Sequence, residues 1–367
     1  MKDRPEVLWL HSDRTGCGTY RCYVPALTLQ ERGFENNFLM HDQCVPANRT
    51  QLNGIDLVVF QRAVGSLFLE WAKECRARDI KVVFEMDDDL FHIPKNNPAS
   101  WFWHKKAVQK LLRQMLDLSD WIIVSTPPLR DALAHETGRK DISVCFNHLH
   151  PSVWGPGAVD DVQKFENFGK TIIGWQGSNT HDADFKVALP ALARILADYP
   201  HVMMRFFGNV PLSVKGIVPE TRFQWARGVP FDRYPATLRF MNFDIGLAPV
   251  TTAKFNQSKS NLKWLEYCSL GVPCVAANVF PYGKTGIRHG ETGFLAETEE
   301  EWYTALAALV ESEDLRRQIG GRARDHAWEK WGPDRALGWE QVFRPLLGVK
   351  VEERVDDQPA TELTQSA

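Results

Sequence analysis

The chain has 367 residues, of which 44% are apolar, and a formal charge of −3. That length suits two domains of middling size, each able to bury its own core. The near-neutral balance argues against nucleic-acid binding through charge alone and leaves only a local basic patch as a route to it.

The opening MKDRPEVLWLHSDR has no long apolar run after its charges, so it does not read as a secretory signal. β-rich runs then recur between helical stretches. In the first half they are Val7–His11, Asn37–Met40, Asp56–Gln61, Ile80–Met86, Trp121–Ser125 and Ile142–Phe146. Most are nearly continuous apolar runs, the pattern of strands buried on both faces. Helical segments at Tyr23–Arg32, Phe68–Arg78 and His104–Leu118 alternate with them, which predicts a parallel sheet covered on both sides.

Three stretches of this half carry chemistry. After the first strand, Gly16 and Gly18 allow a tight backbone approach. Arg21 stands where a dinucleotide fingerprint needs its third glycine, so no NAD site is expected. Asp87, Asp88 and Asp89 end the fourth strand and repel each other unless a cation answers them. A general base for an acceptor hydroxyl, a magnesium site and a cap cluster paired with Arg62 all stay open. The run Ser100-Trp101-Phe102-Trp103-His104-Lys105-Lys106 leads into an amphipathic helix that buries Val108, Leu111, Leu112 and Met115. Its aromatics are a candidate acceptor wall, with nucleic acid or a membrane surface as the other readings.

From His150 to Lys170 the texture turns to Pro, Gly and paired aspartates with no apolar period, which reads as a linker. The expected division is a first domain over 1–155, a linker over 156–170, a second domain over 171–345 and a disordered tail over 346–367. Strands restart at Thr171–Trp175, Val202–Phe207, Arg222–Trp225, Asp244–Ala248, Cys274–Ala277 and Gly293–Leu295. Helices lie at His181–Asp198, Asn261–Leu270 and Glu299–Val310, with Gly271 and Pro273 stopping the second of these. Two doubly wound α/β sheets follow, with the crevice between them as the default ligand site. No window approaches ~18 uninterrupted apolar residues, so no membrane span is expected. The seven cysteines form no C-x-x-C pair, and their odd count fits reduced thiols in the cytoplasm.

The strongest signal is Ser258-Lys259-Ser260-Asn261-Leu262-Lys263-Trp264-Leu265-Glu266. Ser260 or Asn261 can cap the following helix, whose free amides and positive dipole end suit an anion such as a diphosphate. Lys259, Lys263 and Glu266 share one face. Read as structure alone, Lys263 and Glu266 form an exposed ion pair. A second candidate is Gly177-Ser178 leading to His181, which could donate to a phosphate or a sugar hydroxyl; Asp182 and Asp184 lie in the same first turn. Arg205, set among apolar neighbours, needs an anionic partner, either structural or substrate.

From Glu266 through Gly271-Val272-Pro273-Cys274-Val275-Ala276 to His289-Gly290-Glu291-Thr292-Gly293-Phe294-Leu295, the chain resembles the donor domain of retaining GT-B glycosyltransferases of the group 1 or family 4 type. The resemblance covers most of 171–345. It implies a GT-B fold of two Rossmann-like domains facing a central cleft. It also implies a helix like Ala327–Phe343 that returns toward the first domain. It places Glu266 on the nucleotide ribose, the backbone of Ser260–Leu262 on the diphosphate, and Val229 beside the nucleobase. It puts the Gly16–Gly18 loop near the donor diphosphate, with Arg21 as an anion contact. The family's sugar-contacting glutamate is replaced by Ser258, so the contacts to the sugar differ from the common pattern.

The resulting expectation is transfer from a UDP- or GDP-linked sugar to a hydroxyl acceptor, a glycan, a protein or a modified DNA base. Lys259, His181 and the three aspartates are the catalytic candidates. No cofactor is required, with magnesium left open. Retention is implied by the resemblance, and an inverting route through Asp87, Asp88 or Asp89 stays open. A nucleotide-sugar 2-epimerase of the same fold and a non-catalytic nucleotide-sugar binder are the alternatives.

Overall fold

A computed structural model describes residues 4–45, 50–155, 158 and 164–349. Most of the expected linker before residue 164, and the expected tail from 350 onward, lie outside the described residues.

The first sheet holds β1 (Glu6–His11), β2 (Glu35–Met40), β3 (Leu57–Gln61), β4 (Lys81–Met86), β5 (Trp121–Val124) and β6 (Ile142–Val144) in the order β2-β1-β3-β4-β5-β6. The second holds β7 (Thr171–Gly177), β8 (Val202–Gly208), β9 (Phe223–Ala226), β10 (Ile245–Ala248), β11 (Cys274–Ala277) and β12 (Phe294–Ala296) in the order β12-β11-β10-β7-β8-β9. Every pairing is parallel. Read from β9, the second sheet has the 3-2-1-4-5-6 order of a dinucleotide-binding fold; the first begins with the flavodoxin-like 2-1-3-4-5 order. The order reverses between β1 and β3 in one sheet and between β7 and β10 in the other, and at such points the loops diverge and open a crevice.

The connecting helices of seven residues or more are α1 (Val24–Glu31), α2 (Ser66–Ala77), α3 (Lys106–Leu118), α4 (Pro127–Thr137), α5 (Leu189–Asp198), α6 (Tyr234–Phe240), α7 (Leu262–Ser269), α8 (Glu299–Glu311), α9 (Glu313–Trp331) and α10 (Leu337–Leu346). They cover both sheet faces, which is why the strands read as unbroken apolar runs. Along β1, Leu8 and Leu10 pack with Trp71 and Leu112. Val7 and Trp9, pointing the other way, pack with Trp339 and Phe343 of α10. The last described helix thus returns to the first sheet, with the rings of Trp9 and Trp339 5.3 Å apart. Arg32 reinforces the return by pairing with Glu340 and Asp334. Removing the buried Trp339 indole would cost about 3–5 kcal/mol.

Two expected helices are broken. His181–Asp198 splits into a one-turn helix at Asp182–Phe185 and α5, whose first turn holds Pro190. Ala327–Phe343 breaks at Gly332-Pro333, because proline cannot donate to the preceding turn. All seven cysteines are free thiols, and every one but Cys17 is buried.

Candidate active site

The loops after β1, β3, β4 and β6 meet those after β7 and β10 around a cavity of about 360 Å³. The first domain contributes Cys17, Arg62, Asp87, Asp88, Trp103 and Asn147; the second contributes Ser178, His181, Lys259, Ser260, Leu262 and Lys263. Residues from six separate loops are therefore gathered at the carboxyl ends of both sheets, where the strand orders place a crevice.

On the first-domain wall the organising residue is Arg62. Its backbone sits in the left-handed region at φ 49°, which a non-glycine residue adopts only when its surroundings hold it there. Its amide donates to the Glu85 carbonyl at 2.8 Å. The guanidinium lies 3.4 Å from Asp87, 3.6 Å from Asp13 and 3.8 Å from Asp88. One cation thus answers three carboxylates. Asp88 still sits above the usual carboxylate range, since burial and the Asp87 charge outweigh Lys259 and Arg62. Asp89 departs from the expected catalytic role. Its carboxylate turns away, accepts from the Phe91 amide and pairs with His92 at 2.9 Å, so it builds the turn after β4.

The second-domain wall is built on the start of α7. The Asn261 side chain makes no capping hydrogen bond, contrary to the capping expectation, and its buried amide nitrogen has no partner. Ser260 does not cap either; it accepts a 2.8 Å hydrogen bond from Asn147 of the first domain. The first-turn amides have no side-chain cap, and with the dipole end they give this part of the cavity a polarity that suits an anion. Lys263 lines it, and burial pulls its ammonium down to about 8, with the Lys259 charge pushing the same way. Beside it, His181 shares a 2.9 Å hydrogen bond with Asp184 through Nδ1. Burial, then the charge of Lys263, pushes the imidazole down to about 3, so it is neutral at pH 7. Burial alone would raise Asp184, but its bond to His181, the Lys259 charge and the Thr251 amide hold it at about 2. Asn256 Nδ2 also donates to Asp184 at 2.7 Å. With Nδ1–H given to that carboxylate, the neutral ring of His181, which lines the cavity, keeps only an Nε2 lone pair as an acceptor.

Several residues expected to contact the donor do not line this cavity. Arg21 is fully buried, pairing with Glu85 at 2.5 Å and donating to the Cys145 carbonyl and Asn147; it lines neither this cavity nor its larger neighbour, so it is closed to a ligand anion in this arrangement. Arg205 donates to Gln224 and to the Asn167 and Met241 oxygens and stacks on Phe165, which fastens the segment entering β7. Val229 packs against the second-domain core. Gly16 starts a turn with no neighbour crowding it, whereas a Cβ at Gly18 would meet the Asp13 carbonyl oxygen at 1.9 Å. Gly177 packs on the Trp175 ring. Ser258 is buried, and its carbonyl accepts from Thr126 at 2.7 Å.

Glu266 is the largest departure. Lys263 and Glu266 do not pair in the open, and Glu266 does not line the cavity. Its carboxylate accepts from Tyr20 at 3.1 Å, Gln176 at 3.0 Å and Tyr234 at 2.9 Å. Three buried ties therefore run from the first domain onto 258–266, through Thr126, Asn147 and Tyr20. Sequence reasoning missed Asn147, Thr126 and Tyr20 as site residues. Asn147 and Thr126 both stand just past a strand's carboxyl end, a position that could have drawn notice. Nothing in the local sequence marked Tyr20, whose partner is 246 residues away.

The turn at Gly16–Gly18 separates this cavity from one of about 600 Å³ lined by His11, Asp13, Tyr23, Phe38, Phe231 and Asp232. Among the described residues, no group of three or more His, Cys, Asp or Glu could hold a metal ion, and no helix is long and apolar enough to cross a membrane.

No family model matches the chain. N-acetyl-α-D-glucosaminyl L-malate synthase of Bacillus anthracis is 31% identical over 86 residues, 23% of this chain and 22% of that protein, so the match spans about a fifth of the relative's length. Sucrose-phosphate synthase of Thermosynechococcus elongatus superposes with a TM-score of 0.68 at 14% identity, over 94% of this chain and 99% of that one. Anabaena HepE, in complex with UDP-glucose, gives 0.64 at 13% identity, over 94% and 100%. A putative UDP-N-acetylglucosamine 2-epimerase of Listeria monocytogenes gives 0.53 at 11% identity, over 92% and 95%. These likenesses show the fold, which is GT-B.

Proposed function

We propose that this GT-B chain transfers a sugar from a nucleoside diphosphate sugar, UDP- or GDP-linked, to a hydroxyl acceptor. The observation that carries the reading is the polarity of the cavity. Cations and free helix amides line the second-domain wall, and carboxylates held by Arg62 face them from the first. HepE, of the same fold, was solved with UDP-glucose, and the weakly matching B. anthracis synthase is named for a glycosyl product; both support the reading.

In this reading the diphosphate rests on the amides of Leu262 and Lys263, with the Lys259 and Lys263 ammonium groups beside it. As the bond from the anomeric carbon to the leaving oxygen breaks, its electron pair stays on the diphosphate. The helix start and the two lysines stabilise that growing charge. His181, neutral and with its Nδ1–H given to Asp184, can only accept through Nε2, so its partner is a sugar hydroxyl and not a phosphate oxygen. Attack on the same face, with the leaving phosphate taking the acceptor proton, gives retention; Asp88 taking that proton on the opposite face gives inversion. Residues of both domains line the cavity, and closure over a bound donor would limit the access of water.

The test is incubation with a panel of UDP- and GDP-sugars, alone and with saccharide acceptors, read by nuclear magnetic resonance. Donor breakdown or transfer supports the reading. Epimerised donor without acceptor consumption would move the chain to the 2-epimerase class, and binding without turnover would make it a nucleotide-sugar binder.

A further inference from the structure

We propose that the strap Asn97–Trp103 is the docking platform for the acceptor, and that the acceptor is a sugar chain. The inference rests on the transferase reading above. Asn97, Ala99 and Trp103 line the same cavity as Asp87 and Asp88. From Trp103 an aromatic ladder runs outward. The Trp103 and Phe102 rings lie 5.1 Å apart at 83°, and those of Phe102 and Trp101 6.1 Å apart at 71°. The ladder ends at Trp101, a residue 69% exposed.

The strap is held in place rather than left loose. His104 Nε2 donates to the Ile93 carbonyl at 2.8 Å, and Gln109 donates to the Leu90 and Trp103 carbonyls at 3.0 and 2.8 Å. Ser100 donates to the Lys95 carbonyl, and the Ala99 amide donates to the Asn97 side chain. The Lys105 ammonium lies 4.3 Å from the Trp101 ring centre and steadies it. A rigid, exposed ring at the mouth of a cleft binds at little cost in side-chain entropy.

The chemistry favours a polyhydroxylated ring as the occupant. Such a ring has an apolar C–H face to lie on an indole and hydroxyls at its edge to meet Asn97. Its terminal hydroxyls, reaching inward, can donate to Asp87 and Asp88. Aromatics next to Lys105 and Lys106 also suit single-stranded nucleic acid. That strand's phosphates, however, would be drawn toward the same two carboxylates, where like charges repel.

The test compares wild type, Trp101→Ala and Trp101→Phe on a printed oligosaccharide array and with a single-stranded oligothymidylate. UDP binding is measured by calorimetry on the same proteins. Trp101 is exposed, so both variants should fold, and circular dichroism checks this. The expected result is oligosaccharide retention by wild type that falls about tenfold or more in Trp101→Ala and largely recovers in Trp101→Phe, with UDP binding equal in all three. Equal sugar retention in wild type and Trp101→Ala, no retention by either, or oligothymidylate retention lost in Trp101→Ala would overturn the proposal. If no protein binds UDP while sugar retention still depends on Trp101, the transferase reading fails and a sugar-binding surface remains.

Discussion

Replacing Lys263 by methionine keeps the length of the side chain and removes its charge, and the structure assigns opposite signs to the two consequences. Burial holds the ammonium at about 8 rather than its ordinary 10.5. That depression represents at most about 3 kcal/mol of unfavourable burial, trimmed to about 1–2 kcal/mol by the side chain's partial exposure. The folded pKa is lowered, so this cost is fully present below pH 8 and fades as pH rises toward 10.5. Lys263→Met should therefore melt a degree or two higher than wild type at pH 7. Donor binding should move the other way. A charge-assisted hydrogen bond to phosphate contributes about 1.5–3 kcal/mol, so affinity should fall roughly ten- to hundredfold. The wild-type affinity should also weaken as pH rises, because the free lysine loses its proton near 8. From pH 6.5 to 8.5 its charged fraction falls about fourfold, and Kd should rise by about that factor. Isothermal titration with the tightest binder among the UDP- and GDP-sugars reads both effects. A flat wild-type Kd over this range, or the same slope in Lys263→Met, would refute the placement of the diphosphate at α7.

Asp184→Asn should weaken the hold on His181 and lower turnover about ten- to hundredfold, measured by initial rates with donor saturating. Because Asp184 is held at about 2, its ionised form contributes about 2 kcal/mol that is present above pH 4 and lost as pH falls toward 2; the acid limb of the variant's stability curve should be shallower by that amount. Asp88→Asn should lower kcat while leaving donor Kd unchanged. The wild-type rate should fall as pH drops through a pKa above the ordinary carboxylate value, a step absent in the variant; an identical profile in both proteins would remove Asp88 from proton transfer. Tyr20→Phe deletes a buried hydrogen bond to a carboxylate and should cost about 1.5–3 kcal/mol, read by calorimetric melting; an unchanged Tm would show that the Tyr20–Glu266 tie does not hold the domains together.

The fold was legible because both sheets are buried on both faces. Runs such as Leu57–Gln61 and Cys274–Ala277 carry no competing polar period, and only a parallel sheet covered on both sides hides such strands. The cavity was legible in part for a related reason. Asp87, Asp88, Ser178, His181, Lys259 and Lys263 all stand at or just beyond the carboxyl end of a strand or at the start of a helix, positions that topology alone turns toward the crevice. Arg21 and Arg205 misled because a lone arginine among apolar residues looks the same whether its partner is a ligand or the chain. The partners that decide it, Glu85 for one and the Asn167 side chain with the Met241 carbonyl for the other, lie 36 to 64 residues away.

Glu266 shows where a motif stops and geometry takes over. Its spacing from Lys263 puts it one turn along α7, and sequence alone lets that turn face either the cleft or the core. Tyr20 decides the matter. The turn after β1 widens at Thr19–Tyr23 and drives Tyr20 across the interface, where its ring meets Phe231 at 5.5 Å and its hydroxyl reaches the carboxylate. A ribose that engages Glu266 competes with that hydroxyl, so the proposed contact at this residue calls for Tyr20 to move. The proposed diphosphate position at Leu262–Lys263 makes no such demand, since both residues already line the cavity. In the proposed reading, phosphate recognition and ribose recognition are thus separable, the first compatible with this arrangement and the second dependent on moving Tyr20.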